Sequence, residues 1–242
     1  MAGEHQLENA ALAIQLAAMW ESKFGKYIPR IDGALIRSEQ VLKYNVVPSE
    51  YAKGLAAVTW PGRGDIFTDP DSENLTYFVD GAHTPESIAS CASWFAAASR
   101  CRETSGTERI IIFNCMEERD PASLLEPFQK KLLEHKVWPK EIIFSPTMSS
   151  YSKLNQNEGS VDTTWQGSLL RTWKHLLQNR ESTPREFSMA ASRNVSVSPS
   201  LVDTLNRMKT KSKGLPSKKL HVLVTGSLYL VGDVLRLLGR SV

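Results

Sequence analysis

Four short strings hold residue types suited to anions and acyl groups. In Asp80–Gly81–Ala82–His83 a carboxylate and an imidazole stand three residues apart. The glycine between them lets backbone approach a bound group closely. The string follows an apolar run at 75–79 and precedes Thr84–Pro85, where Pro suits the first turn of a helix. Because a helix N-terminus favours an anion, Asp80 and His83 could meet a ribose, a phosphate or a reacting carboxylate. The plainer alternative is an aspartate that caps the helix beside an incidental histidine. Trp60–Pro61–Gly62–Arg63 puts an arginine on a tight turn, where its planar fork of donors suits phosphate, unless it is simply a surface cation. Asn114 and Arg119–Asp120 follow the apolar run at 109–113. They either line the same crevice or serve as loop caps and a surface ion pair. Thr225–Gly226–Ser227 closes the last apolar run and opens a helix, offering free amides and two hydroxyls to a carboxylate or phosphate.

Two motifs are excluded. The string from Thr225 to Gly232 has Leu230 where the dehydrogenase pattern TGxxxGxG needs its middle glycine, and only ten residues follow Gly232. No GxxxxGK[ST] occurs, so the sequence contains no P-loop.

The elements that must position these residues follow from periodicity. Residues 4–20 carry Leu7, Ala10, Ala11, Ile14, Ala17 and Ala18 at helical spacing, and a second apolar-periodic stretch runs over 35–44. A Pro- and Gly-punctuated connector is expected over 46–64. From residue 65 onward strands alternate with helices: strands at 75–79, 109–113, 141–145 and 220–225, and helices after each of the first two, at 165–177, at 201–208 and at 228–238. A long polar loop is expected at 145–162 and an irregular segment at 178–198. A basic stretch follows (Arg207, Lys209, Lys211, Lys213, Lys218 and Lys219), expected as a solvated loop, with a polyanionic ligand as the alternative. Strand–helix alternation predicts an α/β fold, a mostly parallel sheet with helices on both faces. Such sheets bind ligands at the carboxyl ends of their strands, where three of the four strings fall, while the Arg63 string lies in the connector.

Composition narrows the classes. The 242 residues allow one or two domains, and 41% hydrophobic with 23% charged residues is the make-up of a globular protein. A net charge of +3 and no nucleic-acid-binding motif argue against such a partner. Cys91, Cys101 and Cys115 show no CxxC spacing, so they read as reduced thiols, and no metal site is expected from them or from the five histidines. The N-terminus does not read as a signal peptide, and the apolar stretch 220–238 is interrupted by His221, Thr225, Ser227, Asp233 and Arg236, so no membrane span is expected.

In this order, WPGR, FVDGAHTPES, IIIFNCMEERDP and HVLVTGSLYLVGDVLRLL resemble the C-terminal part of folylpolyglutamate synthase, a Mur-type ATP-dependent ligase. GEHQLENAALA is similar to the helix closing that family's central ATPase domain. The resemblance implies a helical remnant of the central domain at 1–45, a linker at 46–64, and a Rossmann-like C-terminal domain at 65–242 with a long insertion around 145–219. It implies ATP-dependent addition of L-glutamate to the γ-carboxyl of a folate through an acyl phosphate, with Mg²⁺. Arg63, Asp80 and Asn9 would bind ATP, His83 would sit beside the nucleotide or the reacting carboxyl as the catalytic residue, and Ser227 would contact glutamate. The family's P-loop, Mg²⁺ ligands and most of its folate site would lie upstream of Met1, so this chain is expected to be a fragment with little activity alone. It would need a P-loop domain in cis or in trans, in the cytoplasm and/or the mitochondrion. The alternatives are a noncatalytic nucleotide- or partner-binding module of the same fold, and a related dihydrofolate synthase or cell-wall ligase, the last disfavoured by the folate-type TGSLYLVG ending.

Overall fold

A computed structural model describes residues 4–24, 30–31, 34–35, 47–148, 162–179 and 194–240. The chain divides into two compact units, Met1–Trp60 and Pro61–Val242. In the first unit lie α1 (Glu4–Phe24), the antiparallel pair β1 (Arg30–Ile31) and β2 (Ala34–Leu35), and α2 (Ser49–Ala57). α1 runs one turn past residue 20, where Trp20 and Phe24, four apart on one face, bring their ring centroids to 4.7 Å. The segment read as a connector contains α2: Pro48 stands at its N-cap and Gly54 lies within it. Most of the apolar stretch at 35–44 lies outside the described residues.

The second unit is built on β3 (Asp65–Asp69), β4 (Ser72–Asp80), β5 (Glu108–Phe113), β6 (Glu141–Phe144), β7 (Val195–Val197) and β8 (Leu220–Thr225). They form one sheet in the order β3-β4-β8-β5-β6-β7, with β3 antiparallel to β4 and every other pair parallel. Side chains alternate across a strand, so each central strand feeds two cores. Phe78, Ile111, Phe113, Phe144 and Leu223 meet α3 (Pro85–Arg100), α4 (Pro121–Glu134) and α5 (Thr164–Gln178) on one face. Leu75, Tyr77, Val79, Ile110, Ile112, Val222 and Val224 meet α6 (Leu201–Lys213) and α7 (Leu228–Leu237) on the other. Burial on both faces is why these strands read as unbroken apolar runs.

Three elements depart from expectation. β3 and β7 appear where no strand was read, and α6 continues to Lys213. α5, β7 and α6 are integral to the sheet and its cores, so the region 145–219 is not a separate appendage; residues 149–161 and 180–193 of it lie outside the described residues. The basic stretch is correspondingly not a plain solvated loop. Its first half is helical, and its cations neutralise buried carboxylates at the amino ends of the strands: Arg207 and Lys211 pair with Glu141, and Lys140, Lys211 and Lys218 surround Glu108. Lys209 bonds Asp71 at 2.6 Å.

Candidate functional site

At the carboxyl edge of the sheet the chain leaves β4 and β5 toward α3 and α4 on one face, whereas β8 between them feeds α7 on the opposite face. Neighbouring exits that diverge leave a crevice, the place where open α/β sheets bind ligands. Residues from the four strings converge on it.

Asp80 ends β4 with its carboxylate nearly buried, 8% exposed. One oxygen accepts from Gly64 N at 2.8 Å and the other from Ala82 N at 2.9 Å. The turn carrying Arg63 is thereby tied down on both sides, because Gly62 O also accepts from Gly81 N at 3.0 Å. Gly62 has φ +75° and packs so closely on α7 that a Cβ there would lie 2.6 Å from Val231 Cγ1. A glycine is needed at that point to bring the turn against the helix. Between these anchors Arg63 is part-exposed and its guanidinium has no hydrogen-bond or ion-pair partner among the described residues.

His83 opens the α3 turn. Its Nδ1 lies 2.8 Å from the carbonyl of Gly81. A carbonyl only accepts, so Nδ1 carries the proton, and Nε2 is left as an acceptor or, once protonated, as a second donor. Thr84 caps α3 in a capping box with Ser87, so Asp80 is not the cap, and that alternative is removed.

Ser227 is buried and is the N-cap of α7, its Oγ accepting from Tyr229 N at 3.2 Å. The preceding Gly226 has φ +97°, and a Cβ there would stand 2.3 Å from Asn114 O. β8 can turn into α7 against the end of β5 only without a side chain at this position. Asn114 Oδ1 accepts from Gln166 Nε2 at 3.0 Å, and Trp165 Nε1 donates to Cys115 O at 2.7 Å, so α5 braces the end of β5. Asp120 caps α4 through Ala122 N and Ser123 N, the cap among its two alternatives. Asn9 sits exposed on α1 in the first unit, its amide donating to Gln6 at 3.2 Å.

Two thiols near the site are not available as nucleophiles. Burial, reinforced by the Asp80 charge, pushes the Cys91 thiol well up although Thr225 Oγ1 lies 3.4 Å away to favour the thiolate. Burial pushes Cys115 up to about 12. The chemistry left to this edge is an arginine fork, helix N-termini and one imidazole, a set for binding and polarising anionic oxygen. No three His, Cys, Asp or Glu are grouped to hold a metal ion among the described residues.

Sequence reasoning missed Gln166 and Asp233. Asp233 is buried on α7 and accepts from Met148 N at 2.7 Å, holding the loop after β6. Its signal was a lone carboxylate within an apolar helix, a position tolerated only when the charge is bonded.

The diverging exits, the capped helix starts and the anchored arginine belong to an α/β domain built on a six-stranded, mostly parallel sheet. The fold matches a crystal structure of Mycobacterium tuberculosis folylpolyglutamate synthase complexed with ADP and AMPPCP, with a TM-score of 0.56 and 19% identity over 100% of this chain and 41% of that one. Within that class the chain is a homologue of the folylpolyglutamate synthases. It is 32% identical to folylpolyglutamate synthase of Arabidopsis thaliana over 98% of this chain and 46% of the relative, and 30% identical to the human protein named folylpolyglutamate synthase, mitochondrial, over 98% and 48%. The chain thus spans about half the length of the curated relatives it matches. No family model matches it. No helix among the described residues is long and apolar enough to cross a membrane.

Proposed function

We propose that this chain furnishes the C-terminal wall of an ATP-dependent ligase that adds L-glutamate to the γ-carboxyl of a folate through an acyl phosphate. Residues 1–45 correspond to the end of the central ATPase domain, 46–64 to the linker and 65–242 to the C-terminal domain. Arg63 grips the nucleotide's phosphates and Asp80 binds the nucleotide while holding the arginine's turn. Asn9 contacts adenine. The Nε2 atom of His83 stands beside the nucleotide or the carboxyl being activated, where it accepts or donates one proton as charge develops. Ser227 and the start of α7 receive a carboxylate of the incoming glutamate. Mg²⁺ would spread charge on the transferring phosphoryl group, and no group of three carboxylate, histidine or cysteine side chains that could hold it occurs among the described residues. A P-loop domain, in cis or in trans, completes the cleft in the cytoplasm and/or the mitochondrion.

The observation that carries this reading is the Arg63 guanidinium, without a partner among the described residues, on a turn whose two sides are pinned by Asp80 and Gly81. Such preorganisation is wasted on a solvated surface cation and useful for an anion. Calorimetry of ATP with the chain, alone and with a P-loop domain supplied in trans, tests it. Affinity gained on adding the domain and reduced at least tenfold by Arg63→Ala supports the reading. Equal affinity in the variant overturns it. Nucleotide binding without glutamate incorporation by the reconstituted pair favours a noncatalytic module instead.

A further inference from the structure

The opposite edge of the sheet holds a second feature, which the ligase reading does not use. Along β8 from Thr225 back to Leu220 the strand runs roughly 17 Å, and there the chain opens a cleft of about 420 Å³. It is lined by Lys213, Lys218 and Lys219 with the hydroxyl-bearing Thr104, Ser212 and Ser217, against a single carboxylate, Glu73. The neighbouring cations of this edge are engaged: Arg207, Lys209, Lys211 and Lys140 each pair with a carboxylate. Lys213 makes no ion pair within 4.0 Å among the described residues, although its charge reaches the Asp71 carboxylate that Lys209 bonds, and Lys219 reaches only the Glu73 carbonyl at 3.4 Å. Lys218 lies 3.9 Å from a Glu108 carboxylate that Lys140 already bonds.

The cleft is also built rather than incidental. Asn74 Nδ2 donates to the carbonyls of Ser212, Leu215 and Lys218 at 3.0, 2.9 and 3.1 Å, fixing the turn that joins α6 to β8. Ser72 and Ser212 bond at 2.5 Å in its buried floor. The turn's carbonyls are thereby occupied, and they do not compete for the lysines. What remains in the cleft is surplus positive charge beside hydroxyl donors, the chemistry that holds closely spaced anionic oxygens.

We infer that this amino-edge cleft is a binding site for a small multiply charged oxyanion of the polyphosphate or oligocarboxylate kind, held by Lys213 and Lys219 with Lys218 and Ser217. It is separate from the carboxyl-edge crevice and does not depend on the ligase reading.

Titration of the full chain with inorganic tripolyphosphate, and in a second arm with tri-γ-glutamate, tests the site by calorimetry at low and moderate salt. Saturable binding is expected with at least one probe, weakened at least tenfold by Lys213→Gln with Lys219→Gln, weakened by added salt, and untouched by Arg63→Ala. The arm that binds more tightly identifies phosphate or carboxylate as the preferred oxyanion. Lys213 is exposed and Lys219 half-buried without an ion pair among the described residues, so the unfolding midpoint of the double variant should match the parent and show that the fold is intact. Binding that survives the lysine changes and is lost with Arg63→Ala belongs to the other edge and overturns the inference, as does the absence of saturable binding by either probe.

Discussion

The carboxyl and amino edges of the sheet use polar groups in opposite ways. At the carboxyl edge they are spent on backbone: Asp80 on two amides, Thr84, Asp120 and Ser227 on helix starts, with Arg63 left without a partner among the described residues. At the amino edge they are spent on one another, as Glu108, Glu141, Asp69 and Asp71 gather Lys140, Arg207, Lys209, Lys211 and Lys218. An edge that binds through backbone turns keeps its shape at any ionic strength. One held by charge pairs is sensitive to acid and salt.

The sharpest way to break the carboxyl edge is through Gly226. Gly226→Val adds a side chain at φ +97° and drives its Cβ into Asn114 O and the Phe113 ring. A loss of about 3 kcal/mol or more in urea unfolding is expected. A variant as stable as the parent would mean that the β8–α7 turn is not fixed as described.

A smaller loss, about 2 kcal/mol, is expected for Asp80→Ala, which strands the amides of Gly64 and Ala82. Hydrogen exchange should show the 62–64 turn loosening while β5 stays protected. Equal exchange in the two proteins would remove Asp80 from its positioning role.

The amino edge should respond to pH. Burial, with Arg109 adding to it, lowers His221 from 6.5 to about 4, and the ring is neutral beside Ser99. The unfolded chain therefore binds more protons than the folded one between about pH 6.5 and 4, so stability falls as pH drops through that window, by on the order of 1–3 kcal/mol. His221→Gln should flatten the dependence of the urea midpoint on pH there. Glu108 adds a later phase. Burial opposes its ionisation, but the hydrogen bond and charge of Lys140 with Lys211 and Lys218 hold its carboxyl below 4.5. Its contribution is present above that value and is lost as pH falls through the lowered one. An unchanged profile in the His221 variant would mean the acid response lies elsewhere.

The smallest effect belongs to the exposed pair Lys209–Asp71. Although Lys209 lowers the Asp71 carboxyl, Asp71→Asn should leave the unfolding midpoint unmoved, because water screens the pair. A measurable shift would show that the amino-edge network is coupled out to its rim.

Much of this organisation was legible in the residues. The triple isoleucine of β5 and the apolar runs of β4 and β8 announce strands buried on both faces, and Thr84–Pro85 and Ser227 announce helix starts. β3 and β7 were not legible. β3 alternates weakly at an antiparallel edge, and β7 is only Val195–Val197, too short for periodicity to register; both exist because a neighbouring strand supplies hydrogen bonds. The basic stretch was legible as charge but not as pairing, since Glu108 and Glu141 are remote from it in the chain.

Sequence alone determined the α/β class, the homology and the placement of Asp80, His83 and Ser227 at strand ends, because periodicity, caps and turn residues act within a few positions of one another. Tertiary structure decided which groups are already committed: that Asp80 holds the arginine's turn, that Ser227 caps α7, and that Arg63 and Lys219 have no acidic partner among the described residues. Hydrogen bonds and ion pairs between segments far apart in the chain depend on the packing of the sheet, and local residue order does not encode them.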